Sequence, residues 1–190
     1  MNLPAVNDKT MTLDEFLVWE EQQPEKYELH FGEVYPHEIY NMVGARRKHA
    51  LVAGNCFAEL KAHLRGTACR AFMNDIKLSV AENCSFYPDL FVTCHADDLS
   101  AELVMRHPTV IIEILSPSTA DYDRGEKFAA YRRLDSLKEY ALIHPESRDI
   151  EVFRRQERDD WLLVVSDSPR GLVLNSLDFV LPPDALFEDL

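Results

Sequence analysis

Residues 109–115 read Thr-Val-Ile-Ile-Glu-Ile-Leu, an apolar, largely β-branched run that fits a central strand and carries one charge, Glu113. A carboxylate in such a strand is costly unless it is paired, hydrogen-bonded or bound to a metal. The fold must therefore bury this strand and still give Glu113 a partner. Side chains alternate across a sheet, so Glu113 shares a face with Thr109, Ile111 and Leu115. Val110, Ile112 and Ile114 point the other way.

Thr12 and Glu15 form a capping-box pattern, which predicts a short helix through Phe16 and Leu17 that stops before Pro24. Residues 27–35 are rich in strand formers, with Gly32 as a hairpin turn. Over 44–65, Leu51, Gly54, Phe57, Leu60 and Leu64 recur at helical spacing, and Gly66 is a natural stop. Strands are expected at 76–80 and 87–94, separated by a turn at Asn83. The segment 116–119 breaks the chain, and one of its hydroxyls caps a helix over about 122–134. Strands at 138–144 and 150–155 pair around Pro145, 161–165 extends the sheet, and the tail packs as a last short element. This order predicts an α/β domain with a mixed β-sheet flanked by helices, not a doubly wound sheet. Residues 11–190 are long enough for one core, and 1–10 read as a flexible N-terminal segment.

No apolar stretch is long enough to cross a bilayer, and the first residues lack the apolar core of a signal peptide, so a cytoplasmic protein is expected. Cys56, Cys69, Cys84 and Cys94 form no C-x-x-C pair and read as reduced, mostly buried thiols. No Gly-rich phosphate loop, H-E-x-x-H or G-x-S-x-G motif occurs, which argues against nucleotide-cofactor, zinc-protease and Ser-His-Asp chemistry. The net charge of −13 opposes binding to a polyanion, and basic residues are only local, at 46–48, 132–133 and 154–155.

Three further polar residues join Glu113. Asp89 follows Pro88 and shares a face with Tyr87 and Phe91. If the two strands are neighbours in suitable register, Asp89 and Glu113 converge on one cation, with Mg²⁺ or Mn²⁺ matching their hard oxygen donors. Such an ion would polarise a phosphate and activate water. Lys127 lies on the following helix, aligned with Arg124 and Tyr131, where an ammonium would stabilise developing charge, Arg124 would add to the field and Tyr131 would brace the site. Taken singly, Asp89 reads as a turn residue and Lys127 as a solvated helix charge. Together their types and order favour a site.

The segments Met-Thr-Leu-Asp-Glu-Phe-Leu, Tyr-Glu-Leu-His-Phe-Gly-Glu-Val-Tyr, Tyr-Pro-Asp-Leu-Phe-Val-Thr-Cys, Ile-Glu-Ile-Leu-Ser-Pro-Ser-Thr and Tyr-Asp-Arg-Gly-Glu-Lys-Phe-Ala-Ala-Tyr-Arg resemble the Uma-two-type restriction endonuclease family over residues 11–190. That resemblance implies a PD-(D/E)XK nuclease-like fold, with Asp89 and Glu113 as metal-binding acids and DNA as substrate. The nuclease motif has lysine where this chain has Leu115, so the resemblance implies that the lysine has moved to Lys127, with Lys77 as its rival. It also implies that Glu33 is a further metal ligand or the partner of the lysine. Glu28 reads as structural, and His49 as a hydrogen-bonded helix residue or a phosphate contact. The expectation is a metal-dependent endonuclease, with a homodimer as its expected assembly; the alternative is a non-catalytic interaction module on the same scaffold.

Overall fold

The computed structural model describes residues 9–37, 46–117, 119–158, 160–166 and 170–190. Most of the expected N-terminal segment, the start of the expected long helix at 44–45, and Ser118 lie outside the described residues.

Helix α1 (Leu13–Glu20) leads into strands β1 (Tyr27–His30) and β2 (Glu33–Pro36), then α2 (Arg46–His63). Next come β3 (Arg70–Met73), β4 (Lys77–Ala81), β5 (Cys84–Phe86), β6 (Leu90–Thr93), α3 (Ala96–Ser100), β7 (Val104–Met105) and β8 (Pro108–Ile114). A helical rod follows, made of α4 (Ala120–Tyr122), a π-helical turn (Asp123–Lys127) and α5 (Phe128–Tyr131). The chain continues through β9 (Glu139–Ile143), β10 (Ile150–Arg155), β11 (Trp161–Ser166), β12 (Leu172–Leu174), β13 (Phe179–Leu181) and α6 (Pro183–Leu186).

The strands form a six-stranded sheet ordered β11-β10-β9-β8-β6-β3, a five-stranded sheet ordered β2-β1-β5-β4-β7, and the ladder β12-β13. In the larger sheet β8 and β9 are parallel while the other neighbours are antiparallel. Parallel neighbours need a crossover, and the helical rod supplies it. This is the expected mixed α/β architecture, consistent with a restriction-endonuclease-like fold.

The alternation in β8 divides two cores. Val110, Ile112 and Ile114 pack with Val52, Cys56 and Leu60 of α2 and with the C-terminal ladder. Ile111 and Leu115 pack with Phe128 and Tyr131 of the rod and with Leu78, Cys84 and Phe86 of the smaller sheet. Glu113 therefore points into the layer where both sheets and the rod meet. The capping box forms as expected: Thr12 Oγ1 accepts the Glu15 N–H at 3.3 Å, and Glu15 accepts the Thr12 N–H at 2.8 Å.

Two expectations are corrected. The helix expected at 122–134 begins earlier and contains a π turn. Cys69 and Cys94 are not reduced thiols but a disulfide, whereas Cys56 and Cys84 are free and buried. The cause is β3, a strand the sequence pattern does not announce: it pairs Arg70 with Thr93 on β6, which sets Cys69 opposite Cys94.

Candidate active site

Strand register carries Asp89 to Glu113. Leu90 of β6 faces Ile112 of β8, and one step further the Asp89 N–H donates to Glu113 Oε2 at 3.1 Å. In return, the Ile114 N–H donates to Asp89 Oδ2 at 2.7 Å. The rod then lays Lys127 and Tyr131 over the same carboxylate. Glu113 Oε1 accepts from Lys127 Nζ at 3.2 Å and from the Tyr131 hydroxyl at 3.1 Å. The side chains of Glu113 and Lys127 are only 3% and 8% exposed.

Two acids complete the surroundings of Lys127. Glu28, projected by β1 of the smaller sheet, lies 3.5 Å from its ammonium, as does Asp123 one helical turn earlier. Lys127 also sits 5.9 Å from the ring centres of Phe86 and Tyr122. Glu28 is held by the Tyr87 N–H at 3.3 Å and His37 at 3.2 Å. Its place is set by period 2: Glu28 and His30 share the face of β1 opposite Leu29, which lies in the core under α1.

The remaining expected residues lie elsewhere. Glu33 is on the same face but on the edge strand β2 beside the turn, exposed and hydrogen-bonded to the Tyr35 hydroxyl, so it does not reach Lys127. Arg124 is turned away to Glu151, at 3.1 and 2.6 Å, and to His144. The π turn puts Asp123 rather than Arg124 on the Lys127 face. Lys77 is 2.5 Å from Glu20, under α1, and does not join Glu113. Glu28, read as structural from sequence, and Asp123, not singled out there, are the members that sequence reasoning missed. The strand-forming neighbours Tyr27 and Leu29 were the one sequence signal for Glu28, and Asp123 had none. His49 of α2 reaches the other end, with Nε2 3.1 Å from Asp89 Oδ2.

The electrostatics follow from crowding. Burial pulls the Lys127 ammonium down, but Glu113, Glu28 and Asp123 outweigh it and hold it well above the ordinary lysine range. Burial pushes the Glu113 carboxyl well above the usual carboxylate range despite Lys127, with Asp89 and Asp123 adding like charge. Burial also works to raise Asp89, but the His49 bond and charge and the Ile114 N–H bring it below its usual value. His49 is raised in turn: burial opposes its charge, and the Asp89 bond overrides it.

The donor set suits a hard divalent cation. Asp89 Oδ2 already accepts two hydrogen bonds, which leaves Oδ1 without a partner among the described residues. Glu113 Oε2 accepts one, and each carboxylate oxygen has two lone pairs. Asp89 is 23% and His49 29% exposed, so this end of the cluster opens to solvent. Among the described residues no group of three or more His, Cys, Asp and Glu side chains is arranged to hold an ion alone. Mg²⁺ commonly takes one or two carboxylates and completes its shell with water and phosphate, so the pair fits.

Residues 13–183 match the family model described as "Uma2: Putative restriction endonuclease". Two proteins of Synechocystis sp. are similar. The uncharacterized protein slr1290 is 29% identical over 188 residues, covering 98% of this chain and 96% of its own length. The uncharacterized protein sll1609 is 32% identical over 158 residues, covering 82% of this chain and 86% of its own.

Proposed function

Because this chain belongs to the Uma2 restriction endonuclease family, we propose that it is a metal-dependent DNA endonuclease acting at the Asp89–Glu113–Lys127 junction. The observation that carries the reading is the junction itself: two carboxylates from adjacent strands, one lysine held against them, and an open edge at Asp89. Asp89 Oδ1 and Glu113 Oε2 would hold Mg²⁺ or Mn²⁺. The ion would supply positive charge at the scissile phosphate and a more acidic bound water.

The protein's own groups do the positioning. His49 and the Ile114 N–H fix Asp89 through Oδ2, so that Oδ1 would be the oxygen offered to the cation. Tyr131 and Lys127 fix Glu113 through Oε1 and leave Oε2 for the cation. The Lys127 ammonium, kept charged by Glu28 and Asp123, opposes the negative charge that develops on phosphate oxygens in the transition state. A two-fold pair of chains, the commonest closed assembly, would bring two such sites to one substrate.

Calorimetric titration with Mn²⁺ tests the site. Wild type should bind, and Asp89→Asn, which keeps the shape but removes the charge, should bind at least tenfold more weakly. Equal affinity would remove Asp89 from the site. A second reading, a non-catalytic interaction module on the same scaffold, is favoured by the burial of Glu113 and Lys127 and by the charge of −13. It predicts no Mn²⁺ binding at this site and no loss of fold in Asp89→Asn.

A further inference from the structure

The β1–β2 hairpin spends an aromatic residue where its geometry calls for a small polar one. His30 and Glu33 are the last ladder pair, so Phe31 and Gly32 form a two-residue loop. Both have positive φ, +50° and +92°, the signature of a type I′ turn whose favoured sequence is Asn-Gly. Gly32 is explained, since an added Cβ would lie 3.0 Å from the Cβ of Thr10. Phe31 is not. A bulky residue in the left-handed region costs about 1–2 kcal/mol, and this ring joins none of the buried cores and stays 37% exposed. Strain of this kind clusters at ligand contacts.

The surroundings of the ring are those of a stacking surface. The Arg133 guanidinium lies 4.4 Å from its centre, and the His30 ring 4.8 Å. From His30 the aromatic row continues to Phe86 at 5.8 Å and Tyr122 at 6.2 Å, the two rings that touch Lys127. The row thus joins an exposed aromatic tip to the proposed catalytic lysine. Glu33, bonded to Tyr35, and Glu126, 3.6 Å from His30, disfavour a phosphate beside the row, while Arg133 offers a cation at the Phe31 ring. In a chain of net charge −13, long-range attraction of phosphate is weak, which gives contacts of another kind a larger share of any affinity for a nucleic acid. Base–aromatic stacking is such a contact and tolerates any sequence.

Resting on the nuclease reading, we propose that Phe31, flanked by His30 and Arg133, is a stacking platform for an unpaired nucleobase, so that the substrate is DNA with a single-stranded segment rather than intact duplex. The probe is a thymidine oligonucleotide carrying one 2-aminopurine, titrated in EDTA so that binding is read without cleavage. Wild type should quench the fluorophore on binding, and Phe31→Trp should retain this. Phe31→Ala should weaken binding about 5- to 150-fold, the range for one stacked base. Phe31→Asn should also bind weakly yet unfold at a higher urea concentration than wild type, because Asn-Gly suits the turn. Absence of quenching by wild type, unchanged binding by Phe31→Ala, or a lower unfolding midpoint for Phe31→Asn would each overturn the proposal. Cleavage in Mg²⁺ is scored separately on single-stranded and duplex substrates. Cleavage without stacking defeats the platform alone, and stacking without cleavage defeats the nuclease alone.

Discussion

The ammonium of Lys127 lies within 3.5 Å of Glu28, Glu113 and Asp123, each from a different element. Removing the charge leaves buried carboxylates without their counter-ion, which costs far more than an exposed ion pair ever contributes. Lys127→Met, close in volume, should therefore lower unfolding stability by about 3–5 kcal/mol in urea denaturation; a loss near zero would show that the acids find other partners. Asp98 provides a second residue-level test, away from the site. Its two oxygens accept the Arg106 and His107 N–H groups, each at 2.8 Å. Burial works to raise this carboxyl, but those bonds outweigh it and bring it below its usual value. A depressed carboxylate stabilises the fold above its unfolded pKa of about 3.9, and that contribution is lost as pH falls through the lower folded value. Asp98→Asn should be less stable by about 1–3 kcal/mol at pH 7, with the gap to wild type closing in the acid range. A gap that is constant with pH would contradict this.

At the scale of elements, the parallel β8–rod–β9 crossover fixes the site, because it returns Lys127 and Tyr131 over the strand that holds Glu113. This part was legible in sequence: one charge in an apolar strand, then a helix with a lysine. Other parts were not. Glu28 reaches Lys127 from the other sheet, a contact that local periodicity cannot express, and Glu33, nearby in sequence and on the same face, is displaced to an exposed edge. The π turn exchanged Asp123 for Arg124 because sequence spacing assumes an α-helical period. The pairing of Cys69 with Cys94 depended on β3, a four-residue strand with only half-buried or exposed residues and no clean alternation. Thiol titration of the unfolded chain should find two free thiols without reductant and four with it. The reduced chain should be less stable by about 3 kcal/mol. Four thiols without reductant would remove the bond from the account.

For the whole molecule, the cluster around Lys127 is where two sheets and the crossover rod are joined, so the groups proposed to act on substrate also hold the fold together. The net charge of −13 makes long-range attraction of DNA weak and places the burden of binding on short-range contacts. Among the described residues no helix is long and apolar enough to cross a membrane. The role proposed for Asp89 and Glu113 is metal-dependent cleavage with Lys127 beside them. Its most direct measurement is strand scission of single-stranded and supercoiled DNA by the purified chain in Mg²⁺ or Mn²⁺. Wild type should cleave, with cleavage abolished by EDTA and reduced at least a hundredfold in folded Asp89→Asn. Intact DNA with folded wild type in both metals, or equal cutting by Asp89→Asn, would contradict it.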